Sequence, residues 1–190
     1  MRKILKIILV VFAALIIIVV AVGAIVFLDV AAYTATASQT LAPTGTSVGN
    51  ALVVYDPGLS GAAKGVAEKV ASDLQAKNYT VILAGVKSSA AANYTGYGVI
   101  VIGGPVYAGS LTASIKDALN SLALSHDSGA KIGVFGSGQG ATSPDDIAQI
   151  KSSVSALSSG GSLSNAVVVK IGETEDLNAR AQDFVNQLVT

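Results

Sequence analysis

The stretch of this chain best suited to chemistry is a glycine-rich break at the end of an apolar run. Val99-Ile100-Val101-Ile102 is an unbroken β-branched sequence, the pattern of a strand buried on both faces. It stops at Gly103-Gly104-Pro105, where two glycines free the backbone and the proline removes a donor. Val106, Tyr107, Ala108 and Gly109 come next, and then a helical pattern begins. A loop bearing one aromatic at the carboxyl end of a central strand is where open α/β sheets bind ligands. Two more loops stand in the same position relative to a strand. Ser60-Gly61-Ala62-Ala63-Lys64 comes after the first strand pattern, and Gly136-Ser137-Gly138-Gln139-Gly140 after the fourth. The chemistry on offer is binding. Cysteine is absent, which excludes disulfides, thiolate metal sites and a cysteine nucleophile. His126 lies in the polar stretch Ser125 to Ser128 with no nucleophile to pair with. Asp145 and Asp146 read as charges at a helix start rather than as catalytic acids, and no metal-ligand spacing occurs.

The elements that must position these loops are legible from periodicity. Ala51–Tyr55, Thr80–Ala84, Val99–Ile102, Ile132–Phe135 and Ala166–Ile171 read as strands. Between them, apolar residues recur at helical spacing. Val66, Ala67, Val70, Ala71 and Leu74 form one stripe; Leu111, Ile115, Ala118, Leu119 and Leu122 form another. Ile147, Ile150, Val154 and Leu157 form a third, and Leu177, Ala181, Phe184, Val185 and Leu188 the last. Ser88 to Asn93 leaves room for only a short helix. Ser143-Pro144-Asp145-Asp146 is a strong helix start: a capping serine, proline at the first position, then carboxylates at the positive dipole end. Thr174 is expected to cap the last helix. Alternation of this kind predicts an α/β fold, a five-stranded parallel sheet between two helical layers, joined by right-handed crossovers.

The amino-terminal part is different. Arg2, Lys3 and Lys6 precede an uncharged apolar stretch, residues 7–28, ending at Asp29. At about 1.5 Å per residue, such a helix spans a hydrocarbon core of about 30 Å. The alternative is a cleaved signal peptide, for which Ala35-Thr36-Ala37 is an A-x-A match, but signal h-regions run only about 7–15 residues. The expected organisation is therefore a basic cytoplasmic terminus at 1–6, a transmembrane helix at 7–28, a Ser/Thr/Pro-containing linker at 29–49 and a folded domain at 50–190. The charge bias places that domain outside the cytoplasm. The 190 residues carry a formal net charge of zero, so no electrostatic case exists for nucleic acid. Asn78-Tyr79-Thr80 and Asn93-Tyr94-Thr95 are glycosylation sequons, near chance in a chain this rich in Ser and Thr.

From about Asn50 to the carboxyl terminus the sequence resembles the flavodoxin family. Val53-Val54-Tyr55 with the loop to Ala63 sits where that family has a strand and its phosphate loop. Ile102 to Gly109 is similar to the loop that lies against the flavin ring, and Val134 to Gly138 to the second ring-contacting loop. The resemblance implies strand order 2-1-3-4-5, FMN as cofactor and electron transfer. It implies phosphate binding by Ser60, Gly61, Ala62, Ala63 and Lys64. Contacts to the ring would come from Pro105, Val106, Tyr107, Ala108 and Gly109, with Gly136, Ser137, Gly138 and Gln139 on the other side. The first loop departs from the family: only Ser60 and Gly61 clearly match where several hydroxyls are usual. Backbone N–H groups at the helix start can still hold an anion. Asp56 would repel a phosphate and is expected to face solvent. The expectation is a membrane-anchored carrier of electrons with a redox protein partner and a monomeric domain, favoured over a substrate-turning enzyme. The alternative is a flavin-free extracytoplasmic binding module on the same fold.

Overall fold

The structure is a computed structural model. It describes the backbone of residues 2–190 and the side chains of Lys6, of 9–23 and of 32–190. A long helix, α1 (Arg2–Asp29), leads through a 3-10 turn at Val30–Thr34 into the sheet. The chain then forms β1 (Ser38–Leu41), β2 (Gly49–Tyr55), α2 (Ala62–Ala76), β3 (Tyr79–Gly85) and β4 (Val99–Tyr107). It continues through β5 (Ser110–Leu111), α3 (Ala113–Ser125), β6 (Lys131–Gly138), α4 (Pro144–Ser152), β7 (Val167–Gly172) and α5 (Leu177–Val189).

The main sheet runs β1-β3-β2-β4-β6-β7, and β5 pairs with β4. Strands β3, β2, β4, β6 and β7 are mutually parallel. In their own chain order they lie 2-1-3-4-5, the flavodoxin-like doubly wound arrangement. Side chains alternate between two apolar layers. Leu52, Val54, Ile100, Ile102 and Val134 pack with Ile115, Leu119 and Leu122 of α3 and Ile150 of α4. Ala51, Val53, Val99, Val101 and Phe135 pack with Val66, Val70 and Leu74 of α2 and Phe184 and Val185 of α5. Each Val, Leu or Ile so buried contributes about 1.5–3 kcal/mol of transfer free energy.

Two features correct the expected five-stranded sheet, which has seven strands. β1 lies inside the stretch expected to be linker and pairs antiparallel with β3, Ser38 opposite Ala84 and Leu41 opposite Val81. It covers the sheet edge while its first three residues stay exposed, so no apolar alternation marks it. β4 also runs on through Gly103-Gly104-Pro105, then turns at Ala108-Gly109 to pair with β5, Val106 opposite Leu111. The proline is tolerated because β2 has already ended. The Gly103 carbonyl accepts from Asp56 N–H at 3.1 Å, so by alternation the missing Pro105 donor points past the end of β2.

Smaller differences concern helix ends. The short helix expected between Ser88 and Asn93 is there, as a 3-10 turn at Ser89–Ala92 capped by Ser88. α4 stops at Ser152, and Val154 and Leu157 reach the core through a separate 3-10 turn at Ser155–Leu157. Asp176, not Thr174, caps α5, its Oδ1 accepting from the N–H groups of Asn178 and Ala179. Among the described residues no helix is long and apolar enough to cross a membrane. The predicted span 7–28 lies partly outside the described side chains.

Candidate functional site

Strand order reverses between β2 and β4, because β3 lies to one side of β2 and β6 to the far side of β4. The loops leaving these two strands diverge there and open a crevice. A cavity of about 520 Å³ occupies it, within the range of small-molecule and cofactor sites. The β2–α2 loop, the β4–β5 hairpin, the end of β6, the start of α4 and the end of β7 form its walls. The β2–α2 loop contributes Leu59, Ser60, Ala62 and Ala63. The β4–β5 hairpin contributes Pro105, Val106, Tyr107, Ala108 and Gly109, and the end of β6 adds Ser137, Gly138 and Gln139.

At one end stands the amino terminus of α2. Its N-cap is Gly61, with φ 76° and hence no side chain to cap the first turn, and no acidic residue lies in that turn. Ser60 Oγ accepts from Ala62 N–H at 3.3 Å. The remaining first-turn donors and the helix dipole favour an anion at this spot. Lys64 does not reach it. It faces outward, 3.6 Å from Glu68, and lines a separate recess. Gly61 also lies outside the cavity lining. Gly136 sits beneath the cavity, where a Cβ would come 2.5 Å from Val106 Cγ2 and 2.9 Å from Ile150 Cδ1.

Tyr107 ties two walls together, its hydroxyl accepting from Leu59 N–H at 3.4 Å. Pro105 closes against Gly58, whose absent Cβ would meet Pro105 Cγ at 3.0 Å. Below them is the residue that departs most from expectation. Asp56 does not face solvent: it is fully buried. Its Oδ2 accepts from Thr112 Oγ1 and Ser114 Oγ, both at 2.8 Å, and its Oδ1 from Gly58 N–H at 2.9 Å. A buried carboxylate is tolerated when its lone pairs are filled in this way. It fixes the β2 loop against the start of α3.

The wall opposite α2 holds charged groups that sequence reasoning did not place in the site. Lys170 of β7, with a side chain only 8% exposed, lies 3.1 Å from Asp146 Oδ2 of α4. Both line the cavity, with Glu173 beside them. Asp146 also completes a capping box, its carboxylate accepting from Ser143 N–H at 2.9 Å. That backbone bond, then the Lys170 ammonium and the Ser143 hydroxyl, hold the Asp146 carboxyl below the usual carboxylate range. Burial pushes the neighbouring Glu175 upward. The Gly172 N–H, the Thr142 hydroxyl and the Arg180 charge outweigh it, and the carboxyl ends below its ordinary value. The helix-start role of Asp146 was legible. Its pairing was signalled only by a lysine inside the apolar strand Ala166–Ile171, a position that demands a counter-charge.

These residues fit FMN in kind: a crevice lined by both polar and apolar groups, a helix start with a glycine N-cap for an anion, and an aromatic hairpin and a glycine-bearing strand end for a planar ring. Among the described residues no cluster could hold a metal ion. The arrangement can bind and orient a ligand; among the described residues that line it, no nucleophile is hydrogen-bonded to a base.

No family model matches the chain, and no curated protein matches its sequence. Solved structures that it resembles include oxidised flavodoxin 2 from Bacillus cereus, at 18% identity and TM-score 0.49, over 73% of this chain and 97% of that one. A flavodoxin of Streptococcus pneumonia TIGR4 is similar at 18% identity and TM-score 0.48, over 73% and 96%. The Flv1 flavodiiron core from Synechocystis sp. PCC6803 is similar at 19% identity and TM-score 0.46, over 73% of this chain. The chain spans only 36% of that protein's length. From Ser38 onward the chain has a flavodoxin-like fold, as its strand order requires.

Proposed function

We propose that this chain is a membrane-anchored flavodoxin-like protein that binds FMN in the switch-point cavity and carries electrons. One observation carries the reading: the cavity joins the start of α2, whose N-cap is a glycine, to the Tyr107 hairpin and the β6 loop. FMN, when bound, supplies the one- and two-electron chemistry. The protein supplies the rest. The first-turn N–H groups of α2 hold the phosphate, and Tyr107 and the Ser137–Gln139 loop flank the ring. Electron carriage is favoured over substrate turnover because the charged pair that lines the cavity, Lys170 and Asp146, is engaged in its own ion pair and the Asp146 capping box. A redox protein is the expected partner. The anchor is α1, with the amino terminus cytoplasmic and the domain outside; the described apolar side chains from Leu9 to Val22 stand exposed on it.

The second reading is a flavin-free binding module on the same fold. It is favoured by the β2–α2 loop, where Ser60 Oγ already accepts from Ala62 N–H, leaving a cradle poor in free hydroxyls.

Flavin titration separates them. FMN should quench and bind clearly more tightly than riboflavin, because the phosphate contacts form the anchor. Ala62→Asp adds a carboxylate at the first position of α2 and gives two opposed effects. It should stabilise the apoprotein by about 0.3–1 kcal/mol through the dipole, yet weaken FMN binding far more than riboflavin binding. Equal affinity for both flavins would remove the helix start from the site. No binding of either at high micromolar concentration would leave the binding module.

A further inference from the structure

The cavity and the tether share one end of the domain. The cavity is walled by residues at or just beyond the carboxyl ends of β2, β4, β6 and β7. β1 is antiparallel to β3, so its first residue, Ser38, lies opposite Ala84 at the carboxyl end of β3. The chain therefore arrives from α1 at the ligand-bearing end. Its arrival is fixed rather than loose. Lys87 N–H donates to the Ala35 carbonyl and Gly85 N–H to the Ala37 carbonyl, both at 2.9 Å. Gly85 admits the connector because it lacks a side chain: a Cβ there would stand 2.3 Å from the Ala35 carbonyl oxygen. Lys87 Nζ sits 5.0 Å from the centroid of the Tyr33 ring, a cation–π contact on the same connector. Between the end of α1 and the docked Ala35 lies only the 3-10 turn Val30–Thr34, about 10 Å long at ~2 Å per residue. From β3, β4 is two strand spacings away, about 10 Å.

We propose that the cavity end of the domain faces the bilayer that α1 enters, so that the site serves a redox partner held in the membrane rather than a freely diffusing one. The orientation rests on the anchor reading above and not on flavin binding; that the membrane partner is a redox protein rests on the electron-carrier reading. A short docked tether cannot swing the domain over, and the opposite end stands a full strand length farther from the surface. Tyr33 and Lys87 lie at the level where amphipathic aromatics and lysines meet headgroups.

The chain has no cysteine, so a single introduced thiol reports one position. Thr174→Cys lies at the cavity end beyond β7, far from the tether. Leu124→Cys lies at the opposite end, at the foot of α3, where the leucine is 90% exposed. Full-length protein carrying a fluorophore at one site is reconstituted into phosphatidylcholine vesicles with nitroxide-labelled headgroups. Flotation with the vesicles is measured first. The expected result is co-flotation with quenching severalfold stronger at 174 than at 124. Gly85→Val, which evicts the connector, should bring the two sites toward equal quenching without loss of flotation. Co-flotation with equal quenching, or stronger quenching at 124, overturns this inference and leaves the anchor standing. Failure to float overturns the anchor and this inference with it. If Gly85→Val does not fold, judged by circular dichroism, the comparison of the two labels still decides.

Discussion

Ala108 holds a backbone conformation that an alanine rarely adopts. Its φ is 49°, and Gly109 after it has φ 79°, so both central residues of the β4–β5 hairpin are left-handed. Two-residue turns of this kind favour Asn-Gly, because a Cβ in the left-handed region costs about 1–2 kcal/mol. Ala108→Asn should therefore stabilise the domain by up to about 1 kcal/mol, raising the melting temperature by about 2–4 °C. A lower melting temperature would mean that the methyl group is held by packing in the hairpin. Gly109 does not allow the same liberty, since its own φ of 79° is one that residues with a Cβ rarely adopt. Asp56 makes the opposite case. Its carboxylate accepts from two buried hydroxyls and one N–H, and Asp56→Ala removes all three bonds at once. The expected loss is about 3 kcal/mol, with Asp56→Asn costing less because the amide can still pair with both hydroxyls and the N–H. Urea unfolding of the two variants checks the order. The burial of this residue was not legible in the sequence: Asp56-Pro57-Gly58 carries every mark of a solvent-facing turn, and its partners lie 56 and 58 residues away.

At the scale of elements, what the sequence reveals depends on how many faces an element buries. The central strands announce themselves because residues such as Val53, Val54, Ile100 and Ile102 are covered by helices on both sides. The breaks in those runs point to the end of the sheet where the cavity lies, although β4 and β6 continue past them to Tyr107 and Gly138. β1 is silent because its first three residues bury neither face, and the end of β4 is hidden by Gly103-Gly104-Pro105, normally breakers. The join between α4 and β7 is hidden for another reason: Asp146 and Lys170 are 24 residues apart and meet only in the fold. That join carries a pH signature. The folded-state value of Asp146 is depressed, and so is that of Glu175. A depressed carboxylate stabilises the fold above its unfolded value, about 3.9 for Asp and about 4.3 for Glu, and the benefit is lost as pH falls through the folded value. Stability should therefore decline with acidification below about pH 4, and Asp146→Asn should flatten that decline while lowering the plateau at neutral pH. Urea midpoints tracked from neutral to acid pH test this; an unchanged profile would show that the pair contributes nothing measurable, as many exposed ion pairs do.

At the scale of the whole molecule, the boundary of the domain decides how it behaves without α1. Composition places that boundary at Asn50, where the apolar pattern begins, and by that measure a fragment from Asn50 to Thr190 is complete. The sheet says otherwise. Removing residues before Asn50 strips β1 from β3 and cuts β2 inside its first pair, Gly49 opposite Tyr79. It also removes the Ala42 carbonyl that accepts from Gln75 Nε2 at 2.6 Å, and the Val48 N–H that donates to the Asn78 carbonyl at 2.9 Å. The newly bare edge, Tyr79–Gly85, has the sequence Tyr-Thr-Val-Ile-Leu-Ala-Gly. It is uncharged, proline-free and rich in β-formers, the kind of edge that pairs with another copy. A fragment beginning at Thr36 keeps β1 and should run as a monomer in size-exclusion chromatography with light scattering. A fragment beginning at Asn50 should melt lower and self-associate with rising concentration. Gln39→Pro in the longer fragment should reproduce part of that defect, because Gln39 stands opposite Leu83, two residues on from the Ala37–Gly85 pair in which Gly85 N–H donates to the Ala37 carbonyl, so its own N–H faces β3 and proline removes it. Matching melting temperatures and monomeric behaviour for the two fragments would show that β1 merely rests on the sheet, and the domain would then begin where composition alone places it.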